Sequence, residues 1–318
     1  MILENLIGKT PMIKIHYSYK GNKKCTYAKL ESYNFTGSIK DRIAYYILKN
    51  AKEKKELKEH QPIVEATSGN TGISLAAIGS LFQHPVHIFM PDWVSYERRK
   101  IMELYGATIH LVSKNDGGFQ KAIEKADLLA KEIDGYRPNQ FCNNDNVLAH
   151  YETTGKEILN QVPNIDAFVS GIGTGGTLMG IAKRLKENNS HTKIYALEPD
   201  TLPILSQGKA TGSHKIEGIG DDFVPVLVDR SFIDDVLLIS DDDAINMSRL
   251  LSQKLGLGVG ISSGANFLAS CLIPDAKNVV TVFPDDHKKY LSTDLSKPVD
   301  TNPSFISNQI ELLSLENV

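Results

Sequence analysis

The most informative stretch of this 318-residue sequence is Asn34-Phe35-Thr36-Gly37-Ser38-Ile39-Lys40-Asp41-Arg42. Two glycine-bearing loops follow it, Thr67-Ser68-Gly69-Asn70-Thr71-Gly72 and Gly171-Ile172-Gly173-Thr174-Gly175-Gly176-Thr177. Each of these two loops comes after a short apolar run and opens a helical pattern. Together the three motifs predict an amine that reacts with an aldehyde, a turn that binds a carboxylate, and a cradle for a phosphate.

Outward from these motifs, short apolar runs alternate with helical patterns along most of the chain. The runs predict buried strands at 63–66, 86–90, 109–112, 167–170, 194–197 and 279–283. The helical patterns cover 42–55, 71–81, 96–105, 118–133, 148–161, 177–187 and 243–255. This alternation predicts an α/β protein with mostly parallel sheets and right-handed crossovers, which binds its ligands where strands lead into helices.

Charge and cysteine content narrow the functional classes. Lys and Arg number 35 against 38 Asp and Glu, a net charge of −3, so we expect no nucleic acid partner. The three cysteines Cys25, Cys142 and Cys271 are scattered, which favours neither a disulfide framework nor a metal site. No signal peptide and no apolar run of about 20 residues is present, so the sequence predicts a cytoplasmic protein that does not bind membranes.

The set of motifs resembles that of the cysteine synthase and cystathionine β-synthase family of fold-type II pyridoxal-phosphate enzymes. The resemblance runs from about Ile7 to about Ser292, nearly the whole chain. It also includes the segments Ile7-Gly8-Lys9-Thr10-Pro11, Ser95-Tyr96-Glu97-Arg98-Arg99-Lys100, His150-Tyr151-Glu152-Thr153-Thr154-Gly155 and Gly260-Ile261-Ser262-Ser263-Gly264.

The resemblance implies two doubly wound domains whose mostly parallel sheets face a cofactor cleft, as in the tryptophan synthase β-like fold. A smaller domain at residues 40–145 would close over the substrate. It would be inserted in a larger cofactor-binding domain made of residues 1–39 plus 146–318. The resemblance also implies a homodimer and the cofactor pyridoxal 5'-phosphate.

Cofactor-binding residues follow from the same resemblance. Lys40 matches the lysine that forms the Schiff base, a role that requires an amine able to lose its proton near neutral pH. Asn70 matches a residue that reaches the ring oxygen, and Ser262, rather than Ser263, matches the partner of the pyridine nitrogen. The phosphate would lie on the loop formed by Gly173, Thr174, Gly175, Gly176 and Thr177.

The phosphate loop has an alternative interpretation as a dinucleotide fingerprint. That motif requires a third, properly spaced glycine at the first strand and an acidic residue about 20 positions later. Here the loop lies in the middle of the chain, and Glu198 comes only after the next strand. The phosphate cradle is therefore the favoured interpretation.

Substrate recognition is assigned to the first glycine-bearing loop. The resemblance implies that it grips the substrate α-carboxylate, with Gln140 sharing in this contact; the residues concerned are Thr67, Ser68, Asn70, Thr71 and Gln140. A helix N-cap is the alternative role for Ser68. A neutral serine at position 262 does not hold the pyridine nitrogen protonated, which favours β-elimination over chemistry that needs a long-lived carbanion.

Two acidic pairs distinguish this chain from the usual cysteine synthase pattern. Asp221-Asp222 stands where cysteine synthases often have Ala-Gly, and Pro284-Asp285-Asp286 stands in place of Pro-Ser-Ser-Gly. Both departures lean toward cystathionine β-synthases. A carboxylate near Cβ could take a proton from attacking water or give one to a leaving group, so Asp221 and Asp222 are candidate catalytic residues. A solvated acidic loop is the alternative.

The favoured function is a pyridoxal-phosphate-dependent β-elimination and β-replacement through an aminoacrylate, with sulfide leaving or entering. Its leading form converts L-cysteine to L-serine, or the reverse, with release of hydrogen sulfide. An O-acetylserine sulfhydrylase that makes L-cysteine is the alternative. Further alternatives are a cystathionine β-synthase-type condensation with a thiol and a non-catalytic regulatory partner, which would ordinarily have lost Lys40 or the carboxylate loop.

Overall fold

The strands form two separate sheets. The computed structural model describes residues 2–209, 212–298 and 302–318, and ten strands lie within them. In chain order, β1 to β10 are Met12–Tyr19, Asn22–Leu30, Ile63–Ala66, Val86–Pro91, Thr108–Val112, Ala167–Gly171, Lys193–Pro199, Asp235–Ile239, Val279–Phe283 and Ile310–Asn317. Strands β3, β4 and β5 form a small parallel sheet, and the others form a seven-stranded sheet in the order β10-β1-β2-β9-β6-β7-β8.

Helices cover both faces of each sheet. In chain order, α1 to α10 are Lys40–Glu53, Asn70–Leu81, Tyr96–Leu104, Gly118–Glu132, Asn144–Ala149, Gly155–Gln161, Gly176–Asn188, Ile204–Gln207, Asp241–Leu255 and Ile261–Leu272. Phe168 and Val169, successive buried residues of β6, belong to different cores, one with α6 and α7 and the other with α9 and α10. The small sheet packs α1, α2 and α3 on one face and α4 on the other.

The predicted α/β class with mostly parallel sheets is confirmed. Every predicted strand is present, and β2, β6, β7, β8 and β9 pair in parallel in the large sheet. The predicted helix at 148–161 is interrupted, since a π-helical turn, His150–Thr154, separates α5 from α6. The proposed division into domains at 40–145 stays a prediction.

Several elements were not predicted. The start of α10 was singled out only as the motif Gly260-Ile261-Ser262-Ser263-Gly264, and the helix that this motif opens, whose residues from Ile261 to Cys271 are all buried, was not predicted. The C-terminal segment Ile310–Asn317 forms β10, which pairs antiparallel with β1. A long-range pairing of this kind leaves no local signal in the sequence.

Two negative findings hold for the described ranges. No helix there is long and apolar enough to cross a membrane. Nor do the described residues contain a group of three or more His, Cys, Asp or Glu side chains that could hold a metal ion.

The fold brings the motif loops to one place. The loop after β3 belongs to the small sheet and the loop after β6 to the large one. The turn before Lys40 is joined to the end of β9, because Ile39 N donates to Pro284 O at 2.8 Å and Ser38 forms an isolated bridge with Asp285.

Candidate active site

Lys40 is the first residue of α1, and the turn before it is held rigidly. Thr36 donates to Asp41 twice, from its backbone N to Oδ2 at 2.7 Å and from its hydroxyl to Oδ1 at 2.5 Å. Lys289 Nζ donates to Gly37 O at 2.8 Å. Gly37 has φ +84°, a conformation that favours glycine. The turn therefore fixes the point from which the Lys40 side chain projects.

The Lys40 amine lies in a desolvated position. Burial lowers its pKa to about 8, although the negative charges of Asp221 and Asp285 act to raise it. A lysine whose pKa is close to neutral has a substantial neutral fraction, which is the form that attacks an aldehyde.

Two adjoining cavities meet at Lys40, each of about 520 Å³. Lys40, Asn70, Gly173 and Thr174 line both of them. The first cavity is also lined by predicted carboxylate-binding residues and an acid, namely Thr67, Ser68, Thr71, Gln140 and Asp221. The second is also lined by Gly175, Thr177 and Ser262. The structure thus brings together all predicted site residues except Gly176 and Asp222, which line neither cavity.

The predicted phosphate loop has the geometry of an anion cradle. It joins β6 to α7, and Gly175 has φ +86°. A Cβ at Gly173 would collide with the carbonyl oxygen of Gly218, and one at Gly176 would collide with the side chain of Asn146. The open backbone N–H groups at the start of a 13-residue helix suit a phosphate. The loop therefore fits the cofactor that the resemblance implies.

Residues that the sequence did not single out support this loop. Asn146 Nδ2 donates to Thr174 Oγ1 at 2.8 Å, and His150 Nε2 pairs with Thr177 Oγ1 at 3.1 Å. Burial, together with the nearby charges of Lys40 and Arg42, lowers the pKa of His150 well below its usual value. His150 is thus a neutral hydrogen-bonding partner. The segment that contains it was noted as part of the family pattern, but nothing in the sequence assigned it a role.

The predicted carboxylate loop joins β3 to α2. Gly69 N donates to Thr67 Oγ1 at 3.1 Å, which shapes the turn. Thr71 Oγ1 donates to Gln140 Oε1 at 2.7 Å, and Gln140 Nε2 donates to Ala66 O at 3.1 Å. Gln140 is buried and held by these contacts, so it braces the loop as well as lining the first cavity.

Arg98 links this loop to the segment that precedes Asp221. Its side chain is buried and lies against Gly69, where an added Cβ would collide with the Arg98 methylenes. The guanidinium forms an ion pair with Glu217 and stacks on the Tyr290 ring, 4.4 Å from the ring centroid. The sequence contained Arg98 in a family segment but gave no sign of this contact.

Ser262 and Ser263 differ in their surroundings. Both are buried near the start of α10, but Ser262 lines the second cavity and Ser263 does not. The role of Ser262 as the residue that faces the cofactor ring stays a prediction.

The two candidate aspartates are also placed differently. Asp221 lines the first cavity, and burial, followed by the charge of Asp222, raises its pKa to about 7 while Lys40 acts to lower it. Asp222 is exposed and lines only a larger, more open cavity of about 1850 Å³ outside the first. Of the two candidate aspartates, Asp221 is therefore the one placed to exchange a proton with a molecule beside Lys40.

Comparison with known proteins fits this geometry. A family model described as pyridoxal-phosphate dependent enzyme matches residues 3–285. The chain belongs to this family. The predicted cofactor, pyridoxal 5'-phosphate, is confirmed by that membership.

The names of three relatives of this pyridoxal-phosphate dependent enzyme refer to cysteine, hydrogen sulfide or cystathionine. A cysteine synthase B from Campylobacter jejuni is 42% identical over 299 residues, covering 92% of this chain and 97% of the relative. A solved hydrogen sulfide-producing enzyme from Fusobacterium nucleatum is 50% identical with TM-score 0.95, covering 100% of this chain and 98% of that one. An O-acetylserine dependent cystathionine β-synthase from Helicobacter pylori is 36% identical with TM-score 0.84, covering 92% and 97%. The predicted membership of the cysteine synthase and cystathionine β-synthase group is confirmed.

The contact between Gly176 and Asn146 yields a test of the phosphate cradle. We expect Gly176→Ala to weaken pyridoxal phosphate binding to the apoenzyme by roughly tenfold or more, because the added methyl displaces Asn146 from Thr174. Alanine is the better helix former, so helix propensity would have the opposite effect. Equilibrium dialysis measures the affinity.

The matched controls are Asn146→Ala and the double variant. In the double variant the new methyl has room, so its affinity should be no worse than that of Asn146→Ala alone. Wild-type affinity in Gly176→Ala would contradict the assignment.

Proposed function

We propose that this protein catalyses β-replacement at L-cysteine, in which water displaces sulfide to give L-serine and hydrogen sulfide. The reaction can also run in reverse. The observation that carries the proposal is Asp221, an acid with a pKa raised to about 7, in the wall of the cavity that also contains Lys40. The similarity to the hydrogen sulfide-producing enzyme of Fusobacterium nucleatum supports it.

The second cavity is the proposed place of the cofactor. The loop from Gly173 to Thr177 would hold its phosphate, Ser262 would face its pyridine nitrogen, and Asn70 would face its ring oxygen. Bound pyridoxal phosphate supplies an aldehyde that takes up amines and a conjugated ring that withdraws electrons from Cα.

Lys40 is the proposed covalent anchor and Cα base. Its position on the shared wall of the two cavities lets one amine reach both the cofactor and the substrate. The loop of Thr67, Ser68, Asn70 and Thr71, braced by Gln140, would hold the substrate carboxylate through backbone N–H and hydroxyl groups. A substrate held at its carboxylate presents Cα to Lys40 and Cβ to the opposite wall.

Asp221 is the proposed acid and base at Cβ. In its protonated form it can donate to the sulfur as the Cβ–S bond breaks. In its ionised form it can accept a proton from water as the new Cβ–O bond forms. The sum is L-cysteine plus water giving L-serine plus hydrogen sulfide, with no oxidant required. A pKa near 7 makes both forms available at neutral pH. Asp222 is exposed and has no proposed role beyond its charge.

An O-acetylserine sulfhydrylase is the second candidate. The 42% identity to cysteine synthase B of Campylobacter jejuni favours it. Acetate leaves without protonation, so that reaction has no need of Asp221. The two candidate reactions therefore differ in whether they require Asp221.

Assembly, location and domain division are also proposals. By resemblance we propose a cytoplasmic homodimer with a smaller domain at residues 40–145 inserted between 1–39 and 146–318. Size-exclusion chromatography with light scattering tests the dimer: a mass close to twice that of the 35.1 kDa chain is expected, and a monomer would overturn it.

Separate replacement of the two aspartates tests which of them takes part in the reaction. Asp221→Asn should lower the rate of sulfide release from L-cysteine by about 10²-fold or more, whereas Asp222→Asn should stay within about threefold of wild type. Because the protonated form of Asp221 is the acid that donates to the leaving sulfur, the wild-type rate of sulfide release should fall as pH rises through about 7. This pH dependence of the rate should be missing in Asp221→Asn. Unchanged turnover in Asp221→Asn would sink the acid-base role.

The substrate is tested by offering L-cysteine, L-serine and O-acetylserine in turn. We expect L-cysteine alone to yield sulfide and L-serine in equal amounts, measured by a sulfide assay and amino-acid chromatography, with accompanying changes in the absorbance spectrum. Turnover confined to O-acetylserine plus sulfide would instead support the second candidate. Lys40→Ala serves as the inactive control for every substrate.

A further inference from the structure

Asp285 occupies a position that the proposed mechanism leaves unexplained. It lies in Pro284-Asp285-Asp286, one of the two acidic departures from the cysteine synthase pattern. Its side chain is fully buried, at 0% exposure. Burying a carboxylate is costly unless it is hydrogen-bonded or paired, so a residue of this kind calls for partners.

The Asp285 carboxylate accepts hydrogen bonds from two side chains and lies near one cationic group. Asn70 Nδ2 donates to Oδ2 at 2.7 Å, and the Tyr290 hydroxyl lies 2.9 Å from Oδ2 and 3.1 Å from Oδ1. Arg98 Nη2 is 3.8 Å from Oδ2. Three elements thus converge on one carboxylate: the start of α2, the 3₁₀ helix His287–Tyr290, and α3.

The chemistry of a carboxylate determines how Asn70 is oriented. An ionised carboxylate only accepts hydrogen bonds, so Asn70 must turn its NH₂ group toward Asp285. Oδ1 of Asn70 is then directed elsewhere. It is buried and has no hydrogen-bond partner in the part of the chain that the structure describes, as expected of a group completed by a ligand. A serine hydroxyl at position 285 could donate or accept, and would leave the amide free to take either orientation.

The backbone of the same residue joins the other cofactor motifs. Ser38, two residues before Lys40, forms an isolated bridge with Asp285, and Gly260 N donates to Asp285 O at 3.2 Å just before the helix that carries Ser262. A Cβ at Gly260 would collide with the Asp285 side chain, so the fit is close. Asp285 therefore connects Lys40, Asn70 and Ser262 through rigid contacts.

We propose that Asp285 is a positioning residue: it holds one N–H of the Asn70 amide and so directs the second N–H of the same NH₂ group to donate to the ring oxygen of the cofactor. The inference rests on the proposed cofactor role of Asn70, and it is independent of which amino acid is the substrate. It assigns a role to an acidic residue found where the cysteine synthase pattern has serine.

A double-mutant cycle on cofactor binding tests the inference. The variants are Asp285→Ser, Asn70→Ala and the two combined, and the readouts are the absorbance spectrum of the holoenzyme and the dissociation constant of pyridoxal phosphate. We expect Asp285→Ser to weaken binding on the order of tenfold and to alter the spectrum. The combined variant should bind no more weakly than Asn70→Ala, because Asp285 acts through Asn70.

Two further variants separate positioning from general loss of structure. Asp285→Asn keeps the shape of the side chain but can donate or accept, so it should alter the spectrum in the same direction with a smaller loss of affinity. Asp286→Asn makes the same charge change at the adjacent residue, whose side chain accepts a hydrogen bond from Lys288 N at 3.0 Å. This variant should keep the wild-type spectrum and affinity. Circular dichroism melting verifies that each variant is folded.

Additive losses in the cycle, or an unchanged spectrum in folded Asp285→Ser and Asp285→Asn, would overturn the proposal. These measurements use no amino-acid substrate. A wild-type enzyme that releases no sulfide from L-cysteine but shows the coupling would refute the proposed reaction and leave the role of Asp285 standing.

Discussion

The proposed chemistry depends on the removal of Lys40 from water beside two carboxylates that compensate its charge. Burial favours the neutral amine and lowers its pKa to about 8, against the opposing effect of Asp221 and Asp285. The pKa of Asp221 is shifted in the opposite direction. Burial and the charge of Asp222 raise it to about 7, while the charge of Lys40 acts to lower it. Both groups therefore titrate near neutrality, where proton exchange with a substrate is most efficient.

Helix N-termini surround the two cavities that meet at Lys40. Lys40, Asn70 and Gly176 are the first residues of α1, α2 and α7, and Ser262 is the second residue of α10. Unpaired N–H groups and the positive ends of helix dipoles therefore gather around the two cavities. A cofactor phosphate and a substrate carboxylate are both anions, so helix N-termini suit both. The parallel sheets bring these helix N-termini together, because the loops lie at the strand ends where the helices begin.

Around these loops lies a layer of buried polar residues. Asn146 and His150 support the hydroxyls of the phosphate loop, and Gln140 supports the carboxylate loop. Arg98 and Asp285 connect the carboxylate loop to the segments that carry Asp221 and Lys40. Each of these side chains has a fixed set of partners, so the groups that face the cavities are held in place before any ligand arrives.

By itself the sequence determined the α/β class, six of the ten strands that the described residues form, and the glycine-bearing loops predicted to bind anions, because periodicity and glycine spacing are local signals. It also pointed to Lys40 through the turn that surrounds it. Only the tertiary structure separated Asp221 from Asp222, since adjacent residues of identical chemistry differ solely in burial. It alone revealed α10 and the pairing of β10 with β1. The contact of Asp285 with Asn70, 215 positions apart, likewise exists only once the two sheets are folded together.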